Sequence, residues 1–190
     1  MNTDIVIYTA GPSVLDAVNS HLPEAHGDPV VRVAVNQASW VLQSDWVCAG
    51  DGYVFDAEYI IPKIGYVTRY TNNESKCPIE AIGEREMREP ADYRIVHWSD
   101  VDRHSQSYSF VAAMAFVSQH YAAPGARVWV YGCDWTAGPC ICESSPHVWT
   151  QRRQKAEVAQ VMTVVERMRA KGTEVYRART QPLRWEAFAP

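Results

Sequence analysis

Residues 4–13 read DIVIYTAGPS, and this stretch sets the class of the fold. The run Asp4–Tyr8 predicts a buried strand, because short β-branched runs bounded by turn residues are typical of parallel sheets. Thr9 to Ser13 predict a tight turn followed by a helix that continues to Val18, since proline and serine are common at the first helical positions. The segment therefore predicts strand, turn and helix, the opening unit of an α/β sheet.

The same alternation continues along the rest of the chain. Further apolar runs predict strands at Val30–Val35, Trp46–Ala49, Tyr66–Arg69, Tyr93–His97, Arg127–Tyr131 and Glu174–Tyr176. Helical patterns cover Gln37–Leu42, Ser107–Tyr121 and the segment from about His147 to Lys171, with loop and a polar helix at 71–91. We predict a doubly wound, mainly parallel sheet with helices on both faces, formed by one domain over residues 1–180 with an irregular tail over 181–190.

Composition narrows the class of protein. The chain has 190 residues, 47% of them hydrophobic, and no apolar run approaches the roughly 20 residues of a membrane helix. No export signal marks the amino terminus, so we expect a cytoplasmic protein with no membrane partner. The formal net charge of −4 argues against a general coat on duplex DNA. Nine of the 18 basic residues nevertheless lie in 151–190, which suits either a solvated helix face or a surface that meets an anion.

Polar residues follow several predicted strands at the edge where function gathers in such sheets. Gly11, Pro12 and Ser13 lack the later glycines of the dinucleotide fingerprint, which disfavours a nicotinamide oxidoreductase. Their backbone N–H groups and hydroxyl suit a phosphate at a helix amino terminus, or simply a helix cap. Asn36 ends the second strand and is a further candidate.

Two carboxylates follow later strands. Asp51 and Asp134 each lie beside or near a glycine. A carboxylate at such a position can hold Mg²⁺ through waters, accept a hydrogen bond from a ribose hydroxyl, or cap a helix. Trp135 follows Asp134 and suits stacking on a base or sugar ring. The spacing of the cysteines from Cys133 onward is not typical of a zinc site, so no metal site is predicted there, and Mg²⁺ held through Asp51 and Asp134 is the alternative.

His147 is the candidate general base. It precedes Arg152 and Arg153 at the predicted start of the long helix, where an imidazole can accept a proton and the guanidinium groups can hold a leaving phosphate. We assign no role to the other histidines, which are His21, His26, His97, His104 and His120.

The ordered set of motifs resembles a Rossmann-like superfamily that contains bacterial lipooligosaccharide sialyltransferases, archaeal 6-hydroxymethylpterin diphosphokinases and small phage-encoded relatives. The resemblance covers roughly residues 4–176 through Gly-Pro-Ser, strand-Asn, Ser-Asp-Trp-Val-Cys-Ala-Gly-Asp, Tyr-Gly-Cys-Asp and a later histidine. It implies a nucleotide-binding domain in which the Gly11 turn binds phosphate and Asn36 contacts the nucleotide. Ser107 or Ser109 lies near the second donor-binding turn, without its glycine, and His147 matches the catalytic base.

The two branches imply different chemistry. The sialyltransferase branch implies a glycosyltransferase that uses a nucleotide-activated sugar without metal, with Asp134 near the ribose or an acceptor hydroxyl. Asp51 looks more like the diphosphokinase branch, in which acidic residues hold Mg²⁺ and a triphosphate. A nucleotide-binding phage accessory protein without catalysis is a third alternative. The acceptor is left open among a glycan, a modified nucleobase and a metabolite, and a homo-oligomer through Trp185 and Phe188 is equally open.

Overall fold

The computed structural model describes residues 3–15, 30–50, 62–69, 94–101, 108–133, 151–179 and 184–189. Its strands are β1 (Asp4–Tyr8), β2 (Val30–Val35), β3 (Trp46–Ala49), β4 (Gly65–Thr68), β5 (Arg94–His97), β6 (Arg127–Tyr131), β7 (Glu174–Arg179) and β8 (Arg184–Ala187). Its α-helices are α1 (Trp98–Val101), α2 (Ser109–His120) and α3 (Gln151–Ala170), and 3₁₀ helices span Pro12–Val14 and Asn36–Trp40.

All eight strands belong to one sheet in the order β5-β4-β3-β2-β1-β6-β7-β8. Every neighbouring pair is parallel except β7 and β8, which run antiparallel. Successive strands add on one side of β1 up to β5, and the chain then crosses to the other side of β1 for β6. The prediction of a mainly parallel α/β sheet is therefore confirmed, and the strand order reverses at β1.

Alternate residues of each strand point to opposite faces of the sheet. Ile5 and Ile7 belong to the larger core, which includes apolar side chains of α2 and α3 and the ring of Trp98 in α1. Val6 and Tyr8 belong to a second core on the opposite face, where the described cover comes from residues in and around the two 3₁₀ helices, namely Val14, Ala38 and Leu42. Helices on both faces stay a prediction.

α2 is buried on all sides, as its small and apolar residues predict. Every residue from Ser109 to Ser118 is buried. At its carboxyl end Phe116 packs on Trp46 with 4.8 Å between ring centroids, and the Trp46 indole Nε1 donates to the Tyr121 hydroxyl over 2.9 Å. The helix thus fixes the amino end of β3 as well as covering the sheet.

The carboxyl-terminal segment corrects the sequence analysis. Instead of an irregular tail, residues 184–187 form β8, and the Trp185 ring meets those of Trp129 and Tyr131 edge to face at 4.8 Å. β7 also continues three residues beyond its predicted end at Tyr176. A buried Arg177 hides this extension in the sequence, because a charged residue inside a strand breaks the apolar run on which the prediction depends.

A buried ion pair joins the amino ends of β1 and β6. Asp4 accepts hydrogen bonds from Arg127 Nε at 2.8 Å and Nη2 at 2.9 Å, and a third from Trp129 Nε1 at 3.3 Å. The Asp4 side chain is 5% exposed and that of Arg127 is 17% exposed. The pair is therefore shielded from water, where removing one partner is costly.

We expect Asp4→Ala to lower the free energy of unfolding by about 3 kcal/mol, because it removes the bidentate acceptor of a largely buried guanidinium. Urea denaturation measures the change. The matched control is Glu166→Ala, which removes an exposed Arg169–Glu166 pair of similar length, 2.9 Å, and should cost at most about 0.5 kcal/mol. Equal losses in the two variants would show that burial does not set the strength of the Asp4 pair.

Candidate functional site

The candidate site lies at the edge formed by the carboxyl ends of the parallel strands. In open α/β sheets ligands bind in the crevice where the strand order reverses. Here β1 lies between β2 and β6, so the reversal lies between β1 and β6. The candidate ligand site is therefore formed by two turns, the one that follows β1 and the one that follows β6.

Four hydrogen bonds lock these two turns together. Thr9 donates to the Tyr131 carbonyl through its backbone N–H at 2.9 Å and through its hydroxyl at 3.2 Å. Gly11 N–H donates to the Gly132 carbonyl at 3.0 Å, and Gly132 N–H donates to Ser13 Oγ at 2.7 Å. The two turns are consequently held together, although they come from segments about 120 residues apart in the chain.

This lock changes how the Gly11 turn would meet a phosphate. Ser13 is fully buried, and its Oγ and the Gly11 N–H both bond to Gly132 rather than pointing freely to the edge. Pro12 begins the 3₁₀ helix. Hydrogen bonds to Gly132 thus hold the turn in its conformation without a ligand. Nucleotide binding by Gly11, Pro12 and Ser13 stays a prediction.

Asn36 follows β2 at the same edge and holds an unusual conformation. Its φ is 50°, in the left-handed region that few residues other than glycine, asparagine and aspartate adopt. Its backbone carbonyl accepts from Ser39 Oγ at 2.7 Å. Its side-chain Oδ1 is shielded from solvent and has no hydrogen-bond partner among the described residues. A buried acceptor of this kind costs free energy until a donor reaches it.

Ser109 connects the carboxyl end of β3 to the start of α2. Its Oγ accepts from Gly50 N–H at 3.2 Å, and its carbonyl accepts from Cys48 Sγ at 3.2 Å. Burial raises the pKa of the Cys48 thiol far above its usual range, so the thiol stays neutral and inert. The Oγ of Ser109 thus holds a helix to a strand, and its contact with a nucleotide stays a prediction.

Several predicted site residues lie outside the described residues. They are Asp51, Ser107, Asp134, Trp135 and His147. Arg152 and Arg153 fall in the first turn of α3, but their side chains are not described. Gly50 and Cys133, the residues that precede the two aspartates, both lie at the candidate edge.

Other features of the described residues lie away from this edge. A groove of about 470 Å³ runs between the carboxyl-terminal turns of α2 and α3, where it includes Ser118, Arg167 and Lys171. Within the described ranges, no cluster of three or more His, Cys, Asp or Glu side chains is placed to hold a metal ion. In the same ranges no helix combines the length and the apolar character needed to cross a membrane.

Sequence reasoning missed Thr9 and Gly132 as parts of the site. The signal that was available is that both strands of the reversal end in a turn containing glycine, at Gly11 and Gly132. Local patterns do not say which turns meet, however, since that depends on strand order. Only the sheet order brings the Tyr-Gly-Cys segment beside the Gly-Pro-Ser segment.

Comparison of the chain with protein-family models, with curated proteins and with solved structures finds no significant match. Function must therefore be argued from the geometry and chemistry of the site itself.

Gly132→Ala tests the lock between the turns. The φ of Gly132 is 75°, and a Cβ there would lie 2.2 Å from the Thr9 carbonyl oxygen. We expect the variant to lose about 2–5 kcal/mol of stability, from backbone strain together with the forced separation of the turns. Gly125→Ala is the matched control, because Gly125 has a φ of 77° in an exposed turn. It should lose only about 1 kcal/mol, and equal losses in chemical denaturation would contradict the close approach.

Proposed function

We propose that this protein is a nucleotide-dependent transferase whose donor binds at the carboxyl edge of the sheet, across the ends of β1, β2 and β6. The observation that carries the proposal is the reversal of strand order at β1 beside Asn36, whose shielded amide oxygen has no donor among the described residues. Such a crevice is where this class of sheet binds ligands.

The glycines of the two turns bear on how closely a ligand can approach the backbone. Gly132 has no side chain, and its backbone packs directly on that of Thr9. Gly11 is half-buried at the opposite turn. The Thr9 carbonyl fills the space beside Gly132, so a group held by main-chain atoms, as phosphates are held at strand-to-helix turns, is proposed for the Gly11 turn.

The chemistry of Asn36 supports a ligand with an N–H or O–H donor. An amide oxygen that is shielded from water regains its lost hydrogen bond when a nucleobase amino group or a ribose hydroxyl reaches it. The strained φ of Asn36 is a further sign of function, because such conformations cluster at ligand sites.

The transfer step uses residues that the sequence analysis selected. In the sialyltransferase-like form of the proposal, His147 removes the proton of an acceptor hydroxyl as its oxygen bonds to the anomeric carbon of the donor sugar. The bond from that carbon to the nucleotide phosphate breaks, and Arg152 and Arg153 hold the departing phosphate. Asp134 binds the ribose or the acceptor hydroxyl, and Trp135 stacks on a ring of the donor.

The first test is a thermal-shift panel of nucleoside mono-, di- and triphosphates and sugar nucleotides, each with Mg²⁺ and with EDTA. A ligand at 100 times its Kd adds about 2.7 kcal/mol of stability. We expect a shift by a sugar nucleotide or its nucleoside monophosphate that persists in EDTA. A shift by triphosphates only with Mg²⁺ would favour diphosphoryl transfer through Asp51 and Asp134 instead, and binding without turnover would favour a non-catalytic nucleotide-binding protein.

Asn36→Gly separates binding from folding. Glycine adopts the φ of 50° without strain, so we expect the stability of the ligand-free variant to change by less than about 1 kcal/mol. Affinity for the nucleotide should fall by about 10-fold or more, because the ligand loses a hydrogen bond to a shielded acceptor. Calorimetric titration gives the affinity, and unchanged affinity would remove Asn36 from the site.

His147→Ala tests catalysis separately from binding. Turnover, measured as release of the nucleotide from the sugar nucleotide that the panel identifies, should fall by a factor of about 10²–10⁴ while donor affinity stays nearly constant. A variant at His21, to which we assign no role, is the control and should retain turnover. Full activity in His147→Ala would remove the histidine from the mechanism and leave donor binding as a separate result.

A further inference from the structure

A serine and a histidine meet at the carboxyl end of β5, outside the crevice described above. The hydroxyl of Ser99 lies 2.7 Å from His97 Nδ1. The other ring nitrogen, Nε2, lies 2.8 Å from the backbone carbonyl of Arg69, which follows β4. The imidazole is therefore held between a hydroxyl on one side and, on the other, the carbonyl of the residue that follows the neighbouring strand.

The partners of His97 fix its tautomer. A carbonyl oxygen only accepts, so Nε2 carries the hydrogen and donates it to Arg69. In the neutral ring Nδ1 is then the acceptor, and Ser99 Oγ–H points its hydrogen at it. The competing acceptor of that hydroxyl is Asp100 Oδ1, which is more distant at 3.5 Å. This is the arrangement of a nucleophile, a base and a group that orients the base.

Ser99 is also open to a reactant. It is exposed, whereas the other serines in the described ranges are buried, at positions 13, 39, 44, 109 and 118. The preceding strand, β5, ends at the same edge of the sheet as β1 and β6. A substrate can therefore approach the hydroxyl without any rearrangement of the core.

We propose that Ser99 is an activated nucleophile and His97 its general base, and that the pair accepts an acyl group from an uncharged carboxylic ester. Ser99 Oγ bonds to the ester carbonyl carbon while its proton passes to His97 Nδ1. The bond from that carbon to the alkoxy oxygen then breaks, and the departing alkoxide takes the proton from Nδ1. The products are an alcohol, an acylated Ser99 and a neutral His97, and attack by water returns the free serine and a carboxylic acid. The carboxylate of Asp100 beside the hydroxyl disfavours anionic donors such as phosphate esters.

A purely structural role for His97 makes a different prediction. Its Nδ1 also lies 3.2 Å from the Ser99 backbone N–H, so the ring caps the start of α1. Asparagine caps a helix well but is not a base at neutral pH. His97→Asn therefore keeps the cap and removes the base, and Ser99→Ala removes the nucleophile at an exposed position.

The experiment is labelling of the whole protein with an alkyl fluorophosphonate, located by mass spectrometry of the peptides. In this reaction the Oγ–P bond forms, the P–F bond breaks and fluoride leaves as the serine proton passes to His97. We expect labelling at Ser99 that is absent from Ser99→Ala and from protein unfolded in urea. In His97→Asn, labelling should slow by about 100-fold or more, with a melting temperature within about 2 °C of the parent.

Three results would overturn the proposal. They are labelling of the folded protein at other residues only, no labelling at all, and equal labelling rates in His97→Asn and the parent. Hydrolysis of p-nitrophenyl acetate, followed in the same three proteins, gives the acyl-transfer readout and should be lost in Ser99→Ala. None of these measurements uses a nucleotide, so their outcome is separate from that of the proposed transferase.

Discussion

The hydrogen bonds between the turn after β1 and the turn after β6 are the constraint on which the architecture depends. They join two halves of a sheet whose strands add in opposite directions from β1, and they do so at the carboxyl edge of the sheet. Because Ser13 is fully buried and Gly132 leaves no room for a side chain, the two turns pack as one unit. Two turns held in this way suit a ligand site, since binding then costs little ordering of the protein.

Asp4 and Asn36, at opposite edges of the sheet, differ in whether their side-chain oxygens have hydrogen-bond donors. At the amino edge, Asp4 accepts three hydrogen bonds from Arg127 and Trp129, and the carboxylate is satisfied within the protein. At the carboxyl edge, Asn36 combines a strained φ with a shielded amide oxygen that has no donor in the described part of the chain. Native proteins satisfy nearly all such groups, and the exceptions tend to have a functional reason. Other shielded side-chain atoms of the described residues, among them Ser44 Oγ near the amino end of β3, also lack a hydrogen-bond partner, so Asn36 is distinguished by its left-handed φ together with its place at the carboxyl edge.

Much of the fold is predictable from the sequence, because an apolar run that ends in turn residues is typical of a strand. β3 and β6 have the predicted bounds, and the small, apolar sequence of α2 predicts its burial on all sides. β8 and the end of β7 are not predictable in this way, since charged residues at 184 and 186 leave β8 without an apolar run and Arg177 interrupts that of β7. The candidate site is predictable only in part. The turns and Asn36 stand out locally, whereas the contact of Ser13 with Gly132 and that of His97 with Arg69 depend on strand order.

The carboxyl edge holds two separate groups of reactive side chains, and the strand spacing says how far apart they are. Asn36 ends β2 and His97 ends β5, three strand positions away, which corresponds to about 14 Å at the usual spacing. A nucleotide across β1, β2 and β6 therefore need not cover Ser99. The serine and histidine pair is anchored to β3, because the ring of Trp98 packs against Gly50 so closely that a Cβ there would lie 2.4 Å from it. Gly50 in turn is bonded to Ser109 at the start of α2. The position of the serine and histidine pair is thus set in part by β3 and α2.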